Sequence, residues 1–234
     1  MSFGTIFGVP LVNSEVTSYE YPIKYGSKIK VLLISDTHLG ATVDPPAALT
    51  LFIDSLNNLV RNEKPNCIFI LGDLVDGTQS TSYLLSVLEK LTTISTPIYA
   101  MGGNHDREFF EEIQWPKGNN VTITNCLSFK LSMNQPGKRN LDIYLAHDLL
   151  NNYRVRDPHA YFFASWIKDA CSSTIKPEDW LIIGHTHTGF VSHSSKIGCV
   201  GQFAPEIGVF GYSTIEFGPD PVFSSKVTLL SKNK

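Results

Sequence analysis

The chain has 234 residues, 42% of them hydrophobic, and a formal net charge of −3. That length suits one compact domain over residues 1–234 and is tight for two. The charge excludes a global basic field for nucleic acid, and no run of about 18 apolar residues is present to cross a membrane.

Residues 1–28 mix Gly, Pro, Ser and Tyr, with an edge strand predicted over Tyr19–Lys24. From Ile29 strands and helices alternate. Ile29–Ser35 reads as a buried strand. Pro45–Arg61 reads as a helix, because Leu49, Phe52, Ile53, Leu56 and Val60 share one face at the 3.6-residue period. Asn66–Leu71 is a second strand, Ser82–Leu91 a second helix and Pro97–Met101 a third strand. This alternation suggests a parallel sheet built from crossover units. After Asp106 the pattern becomes strand-rich: 121–124, 127–131, 141–145, 181–184, 197–200, 209–217 and 226–230. Asn134-Gln135-Pro136-Gly137 marks a turn inside that run.

Five groups with ligand chemistry sit at or just past strand ends. They are Asp36-Thr37-His38, Gly72-Asp73, Gly103-Asn104-His105-Asp106, His147, and Gly184-His185-Thr186-His187. Taken singly, each reads as a turn or cap. His185 and His187 are two apart, so an extended backbone points them the same way. The ordered set carries the meaning, because a parallel sheet gathers such positions at one edge. Carboxylate, imidazole and amide oxygen together suit a pair of divalent ions better than a structural zinc. Cys67, Cys126, Cys171 and Cys199 are widely spread and read as reduced residues of a cytoplasmic protein. The lack of a signal-peptide pattern at Met1-Ser2-Phe3-Gly4 gives the same expectation.

On these groups the chain resembles the calcineurin-type metallophosphoesterases. Their pattern reads D-x-H, G-D, G-N-H-D/E, H and G-H-x-H, and the resemblance runs from about Ile29 to about Phe217. It departs at the fourth group. Many members place a glycine beside that histidine, whereas Ala146 and Asp148 flank His147. Its place after the 141–145 run favours His147 over His159 or His193.

The resemblance implies an α/β fold: a four-layer α/β/β/α sandwich of two mixed β-sheets flanked by helices. It implies two divalent ions, manganese first, with iron, zinc, nickel or cobalt as alternatives. Asp36, His38, Asp73 and His187 would hold one ion. Asp73, Asn104, His147 and His185 would hold the other, with Asp73 bridging to offset the ions' repulsion. Metal-bound hydroxide would then attack phosphorus. His105 would protonate the leaving oxygen or steady the phosphate, with Asp106 orienting its ring. Asp106 also reads as a first-turn helix acid ahead of Glu108, Glu111 and Glu112. Asp76 reads as a turn former before Gly77 or as a partner of the site.

Residues 148–179 separate the last two groups and form a candidate insert over the active site. Their helix-prone part, about His159–Ala170, reads as a core-covering helix with aromatic anchors or as a substrate lid. In the lid reading Arg154 and Arg156 meet the substrate phosphate.

The expected partner is a phosphoester substrate, with no membrane; nucleic acid stays open as the less favoured partner. Gly102 and Gly77 stand where protein Ser/Thr phosphatases of the superfamily carry phosphate-clamping arginines. Lipid-A pathway pyrophosphatases replace the motif histidine by arginine, whereas His105 is kept. Related nucleases share the Asp36-Thr37-His38-Leu39-Gly40 flavour but normally add a capping domain. What remains is a small-molecule phosphodiesterase or a broad phosphoesterase, similar to the cyclic-nucleotide phosphodiesterase branch. The rival is a non-catalytic scaffold on the same fold, as in a retromer subunit. The presence of all seven candidate ligands and His105 argues for the enzyme.

Overall fold

The computed structural model describes residues 16–42, 44–116, 118–137, 139–149, 159–218 and 221–229. In chain order they form β1 (Ser18–Ile23), β2 (Ile29–Ile34), α1 (Pro45–Glu63), β3 (Cys67–Leu71), α2 (Thr81–Leu91), β4 (Ile98–Met101), α3 (Arg107–Glu112) and β5 (Val121–Thr124). There follow β6 (Ser128–Met133), β7 (Leu141–Ala146), α4 (Ala160–Ala170), β8 (Trp180–Ile183), β9 (Phe190–Ser192), β10 (Ile197–Cys199) and β11 (Phe203–Ala204). A 3-10 turn (Pro205–Ile207), β12 (Val209–Phe217) and β13 (Val222–Leu229) complete the set.

Two mixed sheets result. In the first, β2, β3, β4 and β5 run parallel in that order. The strand β12 adds antiparallel to β2, with β13 outside it and β11 beside its start. The second sheet has the order β1-β6-β7-β8-β10-β9, with β7 and β8 parallel. All five residues of β3 are buried, as a central parallel strand covered on both faces requires.

Helix α1 forms where the apolar period predicts it. Prolines open it, and the Asp44 side chain accepts from the Ala47 amide. It ends at Lys64, which turns into the left-handed region at φ 51°. Ala48, Leu49, Phe52 and Leu56 of α1 join Leu84, Val87, Leu88 and Leu91 of α2 against the first sheet. A second core fills the gap between the sheets, where Phe69 meets Phe129, Leu131 and Leu145. A third lies under α4, where Phe163, Ala164 and Ile167 cover Tyr144, Leu181 and Ile183. The layers are therefore helices, sheet, sheet, helix. Within 148–179, α4 is the core-covering helix of the two readings. Among the described residues, no helix is long and apolar enough to cross a membrane.

The parallel strands β2, β3, β4, β7 and β8 end on the same side of the sandwich. The loops after them carry all the ligand groups read from the sequence.

Candidate metal centre

Five of the seven predicted ligands take left-handed backbone: Asp36 (φ 56°), His38 (47°), Asp73 (50°), His185 (63°) and His187 (56°). Such conformations cost about 1 kcal/mol or more apiece for residues with a Cβ, although Asp and His tolerate them better than most. They explain how short loops swing side chains sideways out of strand ends. They also correct one expectation. His185 and His187 are not on an extended segment, and they point to different places.

His187 turns to the first group. Its Nε2 lies 3.2 Å from His38 Nε2 and 3.6 Å from Asp36 Oδ1. His185 turns to the second. Its Nδ1 lies 2.9 Å from Asn104 Oδ1 and 3.3 Å from His147 Nε2, and those two atoms are 2.9 Å apart. Asp73 Oδ2 stands between the groups, 3.7 Å from His38 Nε2 and 3.3 Å from His147 Nε2. Its other oxygen accepts from the His105 amide at 2.8 Å.

Backbone bonds hold this arrangement. The Asp36 amide donates to the Gly72 carbonyl, and the His38 amide to that of Asp73. The His185 amide donates to the Asp36 carboxylate at 2.9 Å. Gly72 sits at φ 78°, and a Cβ there would approach Gly103 Cα at 2.6 Å and His147 Nδ1 at 2.7 Å. Only glycine lets the β3 and β4 loops close to this distance.

The donor set fits divalent ions. Asn104 Oδ1 has no proton to offer, and His147 Nε2 and His185 Nδ1 can each turn a lone pair toward an ion beside it in the matching neutral tautomer. These three atoms, converging at about 3 Å, can share a cation. The carboxylates around them draw positive charge to the site. Burial works against a charge on His147, yet the Asp73, Asp36 and Asp148 carboxylates outweigh it and push the imidazole up to about 10. His38 and His185 are held low chiefly by burial, in the neutral form that ligation needs. Asp73 stays ionised. Burial raises it, but His147, His38 and the His105 amide hold it well below the ordinary carboxylate range.

His105 lies beside these groups. Its ring makes a T-shaped contact with His38, centroids 4.7 Å apart. The carboxylate facing it is that of Asp76, with Oδ2 3.7 Å from His105 Nδ1. This differs from the expectation for Asp106. That side chain is fully buried, and it accepts from the amides of Leu74 (2.7 Å), Val75 (3.1 Å) and Gly103 (2.7 Å). Asp106 is thus a strap between the loops after β3 and β4. It begins α3 without a side-chain cap bond to that helix. Burial and the Asp73 charge push it up to about 7.

Asp148 was not among the predicted ligands, yet one of its oxygens lies within 4.8 Å of ligating atoms of His147 and His185. It pairs with Arg107 at 3.1 Å. The signal was present only as the neighbour of His147, where other members favour glycine. Arg154 and Arg156 lie outside the described residues.

Residues 29–209 match the calcineurin-like phosphoesterases, and the chain belongs to that family. An uncharacterized metallophosphoesterase of Aquifex aeolicus (strain VF5) is 27% identical over 175 residues, which are 70% of this chain and 65% of that protein. The chain thus spans just under two thirds of that relative's length. Among solved structures, the fold is similar to GAP50, the anchor in the inner membrane complex of Plasmodium. The TM-score is 0.55 at 9% identity, covering 88% of this chain and 86% of that one. An archaeal phosphodiesterase aligns over 86% of this chain and all of its own, at 16% identity and TM-score 0.48. A dimetal phosphatase from Danio rerio aligns over 88% of this chain and all of its own, at 12% identity and TM-score 0.49.

Proposed function

We propose that the chain hydrolyses phosphoester bonds at a two-ion centre held by Asp36, His38, Asp73, Asn104, His147, His185 and His187. The carrying observation is the single oxygen Asp73 Oδ2, which faces His38 Nε2 on one side and His147 Nε2 on the other. A carboxylate so placed can serve two cations at once and offset their repulsion. Divalent ions bound there, manganese first among the candidates, would acidify water and neutralise charge on the phosphoryl oxygens.

The chain's own residues supply the rest. His105 stands at the margin of the centre, completing neither ligand group, and is the candidate to hand a proton to the leaving oxygen. Asp76, opposite its Nδ1, would orient the ring and leave Nε2 for the leaving oxygen. The Asp76 carboxylate is ready for this. Burial raises it, but its bonds from Thr78 hold it below its ordinary value.

The substrate we favour is a small phosphodiester, or a broad range of phosphoesters. Gly102 has no room for a phosphate-clamping side chain, since a Cβ there would sit 2.6 Å from Arg107 Cα. At Gly77 the fit is less severe, and a Cβ there would sit 3.1 Å from the His105 carbonyl oxygen. All four cysteines are free, in keeping with a reducing, cytoplasmic setting. The test is elemental analysis of the purified protein together with a hydrolysis screen of mono- and diesters. Two ions per chain and metal-dependent turnover are expected. Two ions with no turnover of any ester would favour the scaffold reading instead.

A further inference from the structure

Arg107 is the first residue of α3, and its guanidinium reaches the second ligand group. Its Nη2 atom lies 3.1 Å from Asp148 Oδ1. One Asp148 oxygen is in turn within 4.8 Å of ligating atoms of His147 and His185. The cation therefore stands one carboxylate away from the convergence of those two rings.

The pair is lopsided in a way that matters for a ligand. The Asp148 side chain is 0% exposed, whereas that of Arg107 is 20% exposed. A solute at this edge can touch the cation and cannot touch the acid. The backbone is fixed too. The Arg107 amide donates to the Gly103 carbonyl at 2.9 Å, and its Cα packs so closely on Gly102 that a Cβ there would come within 2.6 Å. The end of β4 on one side and Asp148 on the other hold the guanidinium in place. His105 approaches the centre from the opposite group, with its ring against His38.

We propose that Arg107, positioned by Asp148, binds a third non-bridging oxygen of the substrate and makes this a site for phosphomonoesters as well as diesters. The inference rests on the phosphoesterase reading above. Two ligand groups loaded with divalent ions can engage two non-bridging oxygens between them. A diester has only two, and a monoester has three. The third is the atom left over for a cation at the margin. A guanidinium suits it, because its planar fork can serve a carboxylate along one edge and a phosphoryl oxygen along another. A diester carries an ester oxygen in that place and gains little from Arg107.

Calorimetric binding of two probes to the metal-loaded full chain tests this. One is inorganic phosphate, which has oxygens to spare. The other is dimethyl phosphate, which has two non-bridging oxygens. Arg107→Gln alone would leave the buried Asp148 charge without this cation, a change that can unfold a chain. The Arg107→Gln, Asp148→Asn double variant removes both charges. It should bind phosphate at least about tenfold more weakly, the size of one charge-assisted hydrogen bond, and dimethyl phosphate within about twofold of wild type. Arg107→Lys keeps a cation beside Asp148 without the fork, and should shift that ratio in the same direction by less. Arg139→Gln, which breaks an ion pair with Asp179 at the start of β8, should leave both affinities unchanged. Equal losses for the two probes, or no loss for phosphate, would overturn the role of Arg107. If dimethyl phosphate still binds only in the presence of metal, the phosphoesterase reading survives that failure. If neither probe shows metal-dependent binding, both readings fall together.

Discussion

His147 Nδ1 lies 2.8 Å from the carbonyl oxygen of Leu71. The bond joins the end of β7 in one sheet to the end of β3 in the other. A carbonyl only accepts, so Nδ1 carries the hydrogen and, in the neutral ring, Nε2 is left with its lone pair toward Asn104 and Asp73. The tautomer that a metal ligand needs is set by the packing of two sheets. His147→Ala should therefore lower the metal content from two ions to one. His187→Ala should do the same from the other group. Elemental analysis of both variants checks this, and two ions retained in His147→Ala would remove Nε2 from the ligand set.

Asp73→Asn should be more severe. The variant keeps the shape of the side chain and loses the charge that serves both groups. We expect at least one ion lost and turnover lowered by about 10³ or more, with far-ultraviolet circular dichroism unchanged. Near wild-type turnover with every substrate would show that Asp73 is not the bridge.

Three acids and bases near the centre should separate by leaving group. His105→Asn should keep both ions and lower turnover by about 10² to 10⁴ for esters with poor leaving groups. The loss should shrink for an activated aryl ester, whose departing oxygen needs little protonation. Asp76→Asn should show the same leaving-group dependence in weaker form, because it acts through the ring. Asp106→Asn should instead lower the melting temperature and show no such dependence. Kinetics across a leaving-group series and thermal melts distinguish the three. The same sensitivity in Asp106→Asn would return the orienting role to Asp106.

The stability of the fold at low pH should depend on Glu63. Its carboxylate accepts from Lys30 Nζ (2.6 Å), Lys226 Nζ (2.8 Å) and Tyr212 OH (2.6 Å). Burial works to raise it, but these donors hold it down at about 2. An unfolded glutamate titrates near about 4.3, so the folded value is depressed. The stabilisation is complete above that pH and fades as pH falls toward 2. Glu63→Gln should cost about 1 kcal/mol at neutral pH, given partly exposed partners. The gap in melting temperature from wild type should close between about pH 4 and pH 2. A gap that stays constant over that window would rule out this network as its source.

Much of the fold was legible because its cause is local. The period of Leu49, Phe52 and Leu56 fixes α1, and the apolar run Ile29–Ile34 fixes β2. The short strands β9 and β11 were not legible. They hold only three and two residues, and are defined by pairing with β10 and β12 and not by a run of their own. At the site, the side chains that converge could be read, but their directions could not. His185 and His187 part company through left-handed backbone, which period-two reasoning does not contain. Asp106 adjoins His105 in sequence, and Asp76 lies 29 residues before it. Which of them meets the ring is decided by where the Leu74, Val75 and Gly103 amides lie, a matter of tertiary placement.

The left-handed ligands carry a consequence for the history of such a chain. Glycine takes that backbone without strain. Exchanging Asp36, His38 or Asp73 for glycine would relax the loop and remove a ligand in one step. A lineage selected for robustness alone would drift in that direction and arrive at a sturdier, inert sandwich. Side chains at five such positions therefore hold the loops against the thermodynamic preference of their own backbone.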